Sequence, residues 1–435
     1  MTADLIASEL GISVRLTPSV PQAARFAGTI EVGLRQNPKR AQLLVSRLLG
    51  KHIPVPVSDV LAAAHELGAL VRAACAGHTP VVVGFAETAT ALGHGVAAVS
   101  APDGGPAPCW HTTRRPAPAG AHVLRFSEEH SHATDHALVI IDDTALRGAR
   151  PLVFVDDELT TGRTAVNAIR VLHARWPRPL YVLASLVDCR SDALRSEAAA
   201  AVRALGARLI SVSLLDAQLR LPADVLASAR IFIAALPESP TFLHATSAPV
   251  SYVEVGLPDG LPPLALAGWS PDQERAARTA MCRAAGALPV ARDGRTLVLG
   301  DEELMYLPQL LAAALGDEVR TSTATRTPAV AIDQPGYPLR TALTFGSTDD
   351  GRRPAYAYNV AASRHPERGH APGFDHLVLV TDAPPGPRTT DVVTTLAAAA
   401  GCSVHVVTLS GGRPAPPDAA AIRRGPAQGE CDAAR

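Results

Sequence analysis

The sequence predicts an α/β protein, a doubly wound parallel-sheet domain followed by a second α/β domain. Three observations carry this. From about residue 59 to 214, short apolar runs alternate with Ala- and Leu-rich stretches of helical period, the rhythm of a parallel sheet flanked by helices. Two of those runs pass straight into polar turns and then into helices, at 80–93 and 152–172. A second strand–helix–strand rhythm occupies 296–409.

Taken in order, residues 1–25 read as an irregular or edge lead-in. Leu43, Leu44, Arg47, Leu48 and Leu49 predict a helix that stops at Gly50. Lys39, Arg40, Lys51 and His52 lie at its ends, where they either face an anionic ligand or simply face water. Residues 59–76 read as a helix and PVVVGF (80–85) as a buried strand. The small-residue turn after it, Ala86 to Thr90, is either an anion-suited loop at a strand end or a tight turn with a Thr cap. Residues 101–120 form a long Pro/Gly-flanked loop holding Arg114 and Arg115, of a length that suits a functional loop closing over substrate. HVLRFSEEHSHATDH (122–136) carries Glu129, His130 and His132, whose spacing matches no usual zinc pattern. It reads as a substrate-facing polar loop with acid/base capacity.

The chain is organised around PLVFVDDELTTGRTAVNAI (151–169). Leu152 to Val155 suit a buried strand. Asp156 and Asp157 follow, with Glu158 behind them, then Thr160, Thr161, Gly162, Arg163 and Thr164, then a helical pattern through Val166, Ile169 and Leu172. A helix N-terminus offers unpaired N–H groups and a positive dipole end to a phosphate. Gly162 lets the backbone approach, and the threonines add hydroxyl donors. Adjacent carboxylates suit a vicinal diol, directly or through a hard cation such as Mg²⁺. A phosphate on one side and a diol on the other describe a ribose 5-phosphate; the plainer alternative is a strand–turn–helix with acidic caps.

Beyond it, 180–187 and 208–214 read as core strands around a helix near 191–204. Residues 219–262 read as a linker or docking segment. TLVLG (296–300) is a strand, DEELMYLPQLLAAALG (301–316) a helix with an acidic first turn, 319–325 a strand, and 376–382, 389–400 and 403–409 a closing strand–helix–strand. Asp382 lies at a strand end, a usual ligand position in open α/β sheets. Arg326, between threonines, either grips a phosphate or carboxylate or caps carbonyls. Domain bounds follow at 20–218 and 263–410, with a Pro-, Gly- and Ala-rich tail at 411–435 read as disordered.

Composition narrows the class. The formal charge of −1 over 435 residues draws in no nucleic acid. No run approaches the roughly 18 apolar residues of a membrane span, and the N-terminus lacks the layout of a signal peptide. Six scattered cysteines without a C-x-x-C pair fit a reducing cytoplasm. Lys39 and Lys51 are the only lysines; each is either kept for its compact ammonium or a chance survivor.

VFVDDELTTGRT (153–164) resembles the PRPP-binding motif of type I phosphoribosyltransferases. Residues 26–56 (with NPKR and GKHIPVP), GFAETATALG, FSEEHSHATDH and VFVDDELTTG together resemble the orotate-phosphoribosyltransferase-like family found beside bacterial tellurium-resistance gene clusters. LGDEELMYLPQLLAAALG, TRTP (325–328), YPLR (337–340), AYNV (357–360) and VTD (380–382) resemble its companion TRSP domain, with Thr327 where the signature carries Ser. The resemblance covers roughly 20–410. It implies a phosphoribosyltransferase fold and activity, an undefined acceptor and a nucleoside-like product. It implies Asp156 and Asp157 on the ribose hydroxyls with Mg²⁺ nearby, and Thr160, Thr161, Gly162, Arg163 and Thr164 on the 5-phosphate. Glu87 and Thr88 would meet the pyrophosphate–Mg²⁺ end, and Arg114, Arg115 or Lys51 would neutralise pyrophosphate. Glu129, His130 or His132 would take a proton from the acceptor. The expected partners are PRPP and a small acceptor, with room for a homodimer and for proteins of the same gene cluster. A PRPP-sensing regulator and a pyrophosphate-driven cleavage of a nucleotide remain as other readings.

Overall fold

The apolar run at 152–155 lies in the strand Leu152–Leu159, at the middle of a six-stranded sheet. A computed structural model of the chain describes residues 5–117, 121–127, 135–237, 248–364 and 373–411. The sheet order is Ser13–Pro18, Arg208–Arg220, Leu180–Asp188, Leu152–Leu159, Val81–Gly84, Cys109–His111, parallel throughout except for the first pair. The period of two sends alternate residues to opposite faces. Val81, Val83, Leu152, Phe154, Tyr181 and Leu183 pack with Ala165, Ile169, Leu172 and Val202 of the helices Arg163–Arg175 and Asp192–Arg203. Val82, Val153, Val155, Val182 and Ala184 pack with Ala63, Leu67 and Val71 of the helix Val57–Ala74. Both faces are covered, so the strands are apolar throughout rather than alternating.

The second sheet repeats the plan. Val250–Gly256, Ser403–Ser410, His376–Thr381, Thr296–Gly300 and Arg320–Thr323 run parallel. The first domain closes its edge: Val55 and Pro56 pair antiparallel with Thr321 and Arg320. The two sheets are therefore stitched by backbone as well as by side chains. The switch in strand order falls between Thr296–Gly300 and His376–Thr381, so the crevice of this sheet opens at Asp301 and Asp382.

Several expectations change. Residues 42–46 form a strand, not the start of a helix; Gln42–Ser46 pairs antiparallel with Ile30–Leu34 and is buried at every position. A leucine-rich run with burial on both sides suits either element, and the partner strand decides. The segment 219–262 holds the helix Val225–Ala235 and the strand Val250–Gly256 of the second sheet. The helix expected from residue 301 begins at Tyr306, which leaves the three acids 301–303 in the turn before it. The lead-in holds a short helix, Leu5–Leu10, before the edge strand. The hairpin Ala342–Gly346 with Pro354–Tyr358 had no sequence counterpart. The tail from 412 lies outside the described residues. No described helix is long and apolar enough to cross a membrane.

Candidate active site

The strand Leu152–Leu159 delivers its carboxylates to a cleft of about 440 Å³ at the carboxyl ends of the first sheet. Asp156, Asp157, Glu158, Thr160, Thr161, Gly162 and Thr164 all line it. Gly162 caps the helix Arg163–Arg175 with a φ of 76°, a conformation natural to glycine. A Cβ there would also lie 3.2 Å from Cδ of the buried Arg190, which the Asp188 carboxylate holds in place. The turn is thus pinned from beneath, and the helix N-terminus faces the cleft. Arg163 departs from expectation: its side chain is exposed and lines a separate groove with Asn167, Arg170 and Glu197.

The opposite wall is the loop after Val81–Gly84. A Cβ on Gly84 would lie 2.4 Å from the Ala89 carbonyl oxygen, so only glycine admits this fold-back. Phe85 stacks on Phe154 at 5.5 Å, and the Ala86 amide donates to Thr112 Oγ1 at 2.8 Å. Thr88 joins the two walls, its hydroxyl donating to Asp157 Oδ1 at 2.7 Å.

Glu87 lines the cleft, but its carboxylate is committed. Lys51 Nζ donates to it at 2.6 Å, and to the carbonyls of Glu302 at 2.9 Å and Ala324 at 3.2 Å. Lys51 is fully buried and does not line the cleft, so the ammonium expected to neutralise pyrophosphate instead ties the first domain to the second. Burial alone would raise the Glu87 carboxyl, but Lys51 and Arg326 outweigh it and hold it at about 2. Beside it, burial and the Lys51 charge push His52 down to about 4. His52 lines the cleft as a neutral imidazole whose Nε2 makes no hydrogen bond.

The two arginines of the 112–117 segment part company. Arg114 lines the cleft, whereas Arg115 turns into the second domain, 2.9 Å from Asp349 and 2.7 Å from Asp382. Arg115 and Lys51 are therefore fasteners between domains rather than groups offered to a ligand. Asp382 faces Arg115, away from the first cleft's lining. Arg326 does reach that lining, with Thr327, Pro328 and Arg353 of the second domain. It bonds Glu302 closely, lies 3.0 Å from Asp349 and 3.9 Å from Glu87. Glu129, His130 and His132 lie outside the described residues, so the acceptor-side assignment has no geometry here; His136, on the strand Asp135–Ile140, lines the cleft and contacts Thr112 Oγ1 at 3.0 Å.

Sequence reasoning missed the Arg40–Glu158 pair at 2.5 Å as a wall of the cleft, although Arg40 stood in the basic cluster singled out at 39–52. It missed Arg353, on a turn with no local signal, and the role of residues 301–303. Asp301 accepts from Thr348 and Thr381, each at 2.7 Å, and burial raises its carboxyl to about 6 against those two bonds. Glu302 bonds Arg326 and Ser347, and Glu303 reaches across to Thr113.

A family model described as phosphoribosyl transferase matches residues 29–218, and a second, described as the TRSP domain C-terminal to it, matches 266–397. The chain therefore carries a domain of the phosphoribosyl transferase family followed by a TRSP domain. Similar solved structures include adenine phosphoribosyltransferase from Rhodothermus marinus, 19% identical, covering 44% of this chain and 97% of that one with a TM-score of 0.33. The enzyme from Giardia lamblia complexed with 9-deazaadenine is 20% identical, with coverages of 44% and 96% and a TM-score of 0.31. Orotate phosphoribosyltransferase from Aeropyrum pernix is 20% identical, with coverages of 44% and 91% and a TM-score of 0.27. No curated protein matches the chain.

The carboxylates also bear on a metal. Among the described residues no three His, Cys, Asp or Glu side chains gather closely enough to hold an ion by themselves. Asp156 and Asp157 are half-buried neighbours lining the cleft. Mg²⁺ is commonly held by one or two carboxylates and completed by substrate oxygens and water, and this pair fits that arrangement.

Proposed function

We propose that the transferase domain takes the 5-phosphoribosyl group from PRPP to a base or base-like acceptor and releases pyrophosphate. The observation that carries this is the single cleft lined by two neighbouring carboxylates, a Thr-Gly turn at a helix N-terminus, and the 85–88 loop facing both. Three ligand parts have three matched surfaces. The N–H groups and hydroxyls at 160–164 suit the 5-phosphate. Asp156 and Asp157 accept from the ribose 2- and 3-hydroxyls. Arg114, with the backbone and Thr88 of the 85–88 loop, meets the pyrophosphate.

The chemistry asks the protein mainly to position groups and to stabilise charge on the leaving group. Mg²⁺, held at Asp156 and Asp157, would supply charge neutralisation on the pyrophosphate oxygens. Asp157 accepts from the Thr88 hydroxyl, so one hydrogen bond fixes the width of the cleft between the two walls. His52 and His136 give the cleft two imidazoles near the apolar Leu43 and Leu44, a wall suited to a ring with polar edges. On the resemblance alone, we read the product as a nucleoside-like metabolite serving tellurite resistance.

Tracing isotope from PRPP into free pyrophosphate, with candidate bases added singly, tests this. Base-dependent release is expected. PRPP binding without release under any base would favour the sensor, and absence of PRPP binding would remove the reading.

A further inference from the structure

We propose that Glu303, in the second domain, is a positioning residue for the pyrophosphate half of the cleft: its carboxylate fixes Thr113 and Arg114 so that Arg114 meets the leaving group. The inference rests on the phosphoribosyl-transfer reading above.

Glu303 is buried, at 1% exposure. One carboxylate oxygen accepts from Thr113 Oγ1 at 2.6 Å, and the other from the Arg114 backbone N–H at 2.7 Å. Both lengths belong to charge-assisted hydrogen bonds, which are short and directional. A single side chain from one domain thus clamps two consecutive residues of the other. The clamped segment has no further slack. Thr113 Oγ1 also accepts from the Arg115 amide at 2.9 Å, and the Arg115 guanidinium is held by Asp349 and Asp382. Thr113 is in turn bridged to Ala137 by a pair of backbone hydrogen bonds.

The same residue reaches the other loop. The Glu303 carbonyl accepts from Thr90 Oγ1 at 3.1 Å, and Thr90 opens the helix that follows the 85–89 turn. Glu303 therefore touches both loops that rise from Val81–Gly84 and Cys109–His111, the two strands on the pyrophosphate side. It touches nothing of 156–164 among its described hydrogen bonds. A shift of about 1 Å in a group that contacts the reacting end of a substrate is costly, so a clamp here acts on one half of the ligand and spares the other.

The test uses the full chain and calorimetric titration with pyrophosphate and with ribose 5-phosphate. In Glu303→Ala, pyrophosphate affinity should fall about tenfold while ribose 5-phosphate affinity stays within about twofold. Glu303→Gln keeps one acceptor and should fall between. Thr113→Val removes only the hydroxyl on the transferase side, so it asks the same question if Glu303→Ala fails to fold, and should show the same selectivity. Equal weakening of both ligands, or unchanged pyrophosphate affinity in both variants, overturns the inference. A parent protein that binds neither ligand overturns the transfer reading and this inference with it.

Discussion

The two halves of the cleft are built differently. The half we propose for the ribose phosphate is shaped from within the first domain: Arg190 lies under Gly162, Arg40 holds Glu158, and Thr88 holds Asp157. The half we propose for pyrophosphate leans on the second domain. Glu87 rests on Lys51, whose other partners are the carbonyls of Glu302 and Ala324, and Thr113 to Arg115 rest on Glu303, Asp349 and Asp382. Binding a sugar phosphate needs only a helix end and a tight turn, which one βα unit supplies. Holding departing pyrophosphate, a polyanion, calls for a cation, and Arg114, the cation we propose for it, is steadied at its backbone by Glu303 of the second domain.

The likeness beneath the difference is local. Thr296–Gly300 ends in a glycine whose Cβ would lie 2.4 Å from the Leu304 carbonyl oxygen, as one on Gly84 would lie 2.4 Å from that of Ala89. Both sheets thus make the same fold-back at a strand end, each placing a buried glutamate, Glu87 or Glu302, beside Arg326. The fold-back of the first sheet lines the cleft from Phe85 to Thr88.

The contrast can be broken at its strongest point first. Asp156→Asn with Asp157→Asn should weaken PRPP binding by a hundredfold or more, on the order of two charge-assisted contacts, with the thermal melt retained. Unchanged titration heats in that variant would sink the ribose assignment. On the other half, Lys51→Met leaves Glu87 charged and two carbonyls unpaired in a dry interface, and should cost about 3–5 kcal/mol in denaturant unfolding. Adding Glu87→Gln should return part of it; a loss within experimental error from Lys51→Met alone would mean the interface is wet.

Proton linkage gives His52 of the first domain and Asp301 of the second opposite signs. His52 has its folded value near 4 against 6.5 when free. Between those values the unfolded chain binds a proton that the folded chain refuses, so this group adds stability as pH rises, by about 3 kcal/mol across the window. Asp301 runs the other way, with a folded value near 6 against 3.8. The folded chain keeps a proton the unfolded chain has lost, and stability drains by about 3 kcal/mol as pH rises through that window. Unfolding curves at pH 4 and 6.5 should show His52→Gln losing ground to the parent as pH rises, and Asp301→Asn gaining on it. Slopes of the same sign would contradict the two burials.

The smallest effect tests the shared fold-back. Gly84→Ala and Gly300→Ala should each cost about 1–3 kcal/mol. Only Gly84→Ala should also weaken PRPP binding, since its loop faces the cleft; equal binding losses would mean that the second sheet's fold-back is as close to the ligand as the first.

The stretch 152–164 was legible in the amino-acid text because its signals are local. A strand period, a glycine needing positive φ and a helix start lie within a dozen neighbours, and the motif's chemistry is carried by adjacent side chains. Four strands of the second sheet, Thr296–Gly300, Arg320–Thr323, His376–Thr381 and Ser403–Ser410, were legible for the same reason, whereas Val250–Gly256 was not. What the text alone left open was decided by partners far away in the chain. Leu43 and Leu44 suit a helix or a strand until Ile30–Leu34 pairs with them. The acids 301–303 look like a helix's first turn until Thr113, Arg326 and the Thr348–Thr381 pair claim them one by one. Lys51 stood out by rarity, but whether its ammonium met a ligand or a carboxylate depended on Glu87, and on two carbonyls more than 250 residues away. Periodicity and turn chemistry act between neighbours, so sequence determined most strands and helices of the two sheets and the strand–turn–helix at 152–172. A buried charge is settled only by which opposite charge folding brings within reach, and that the tertiary structure alone decided.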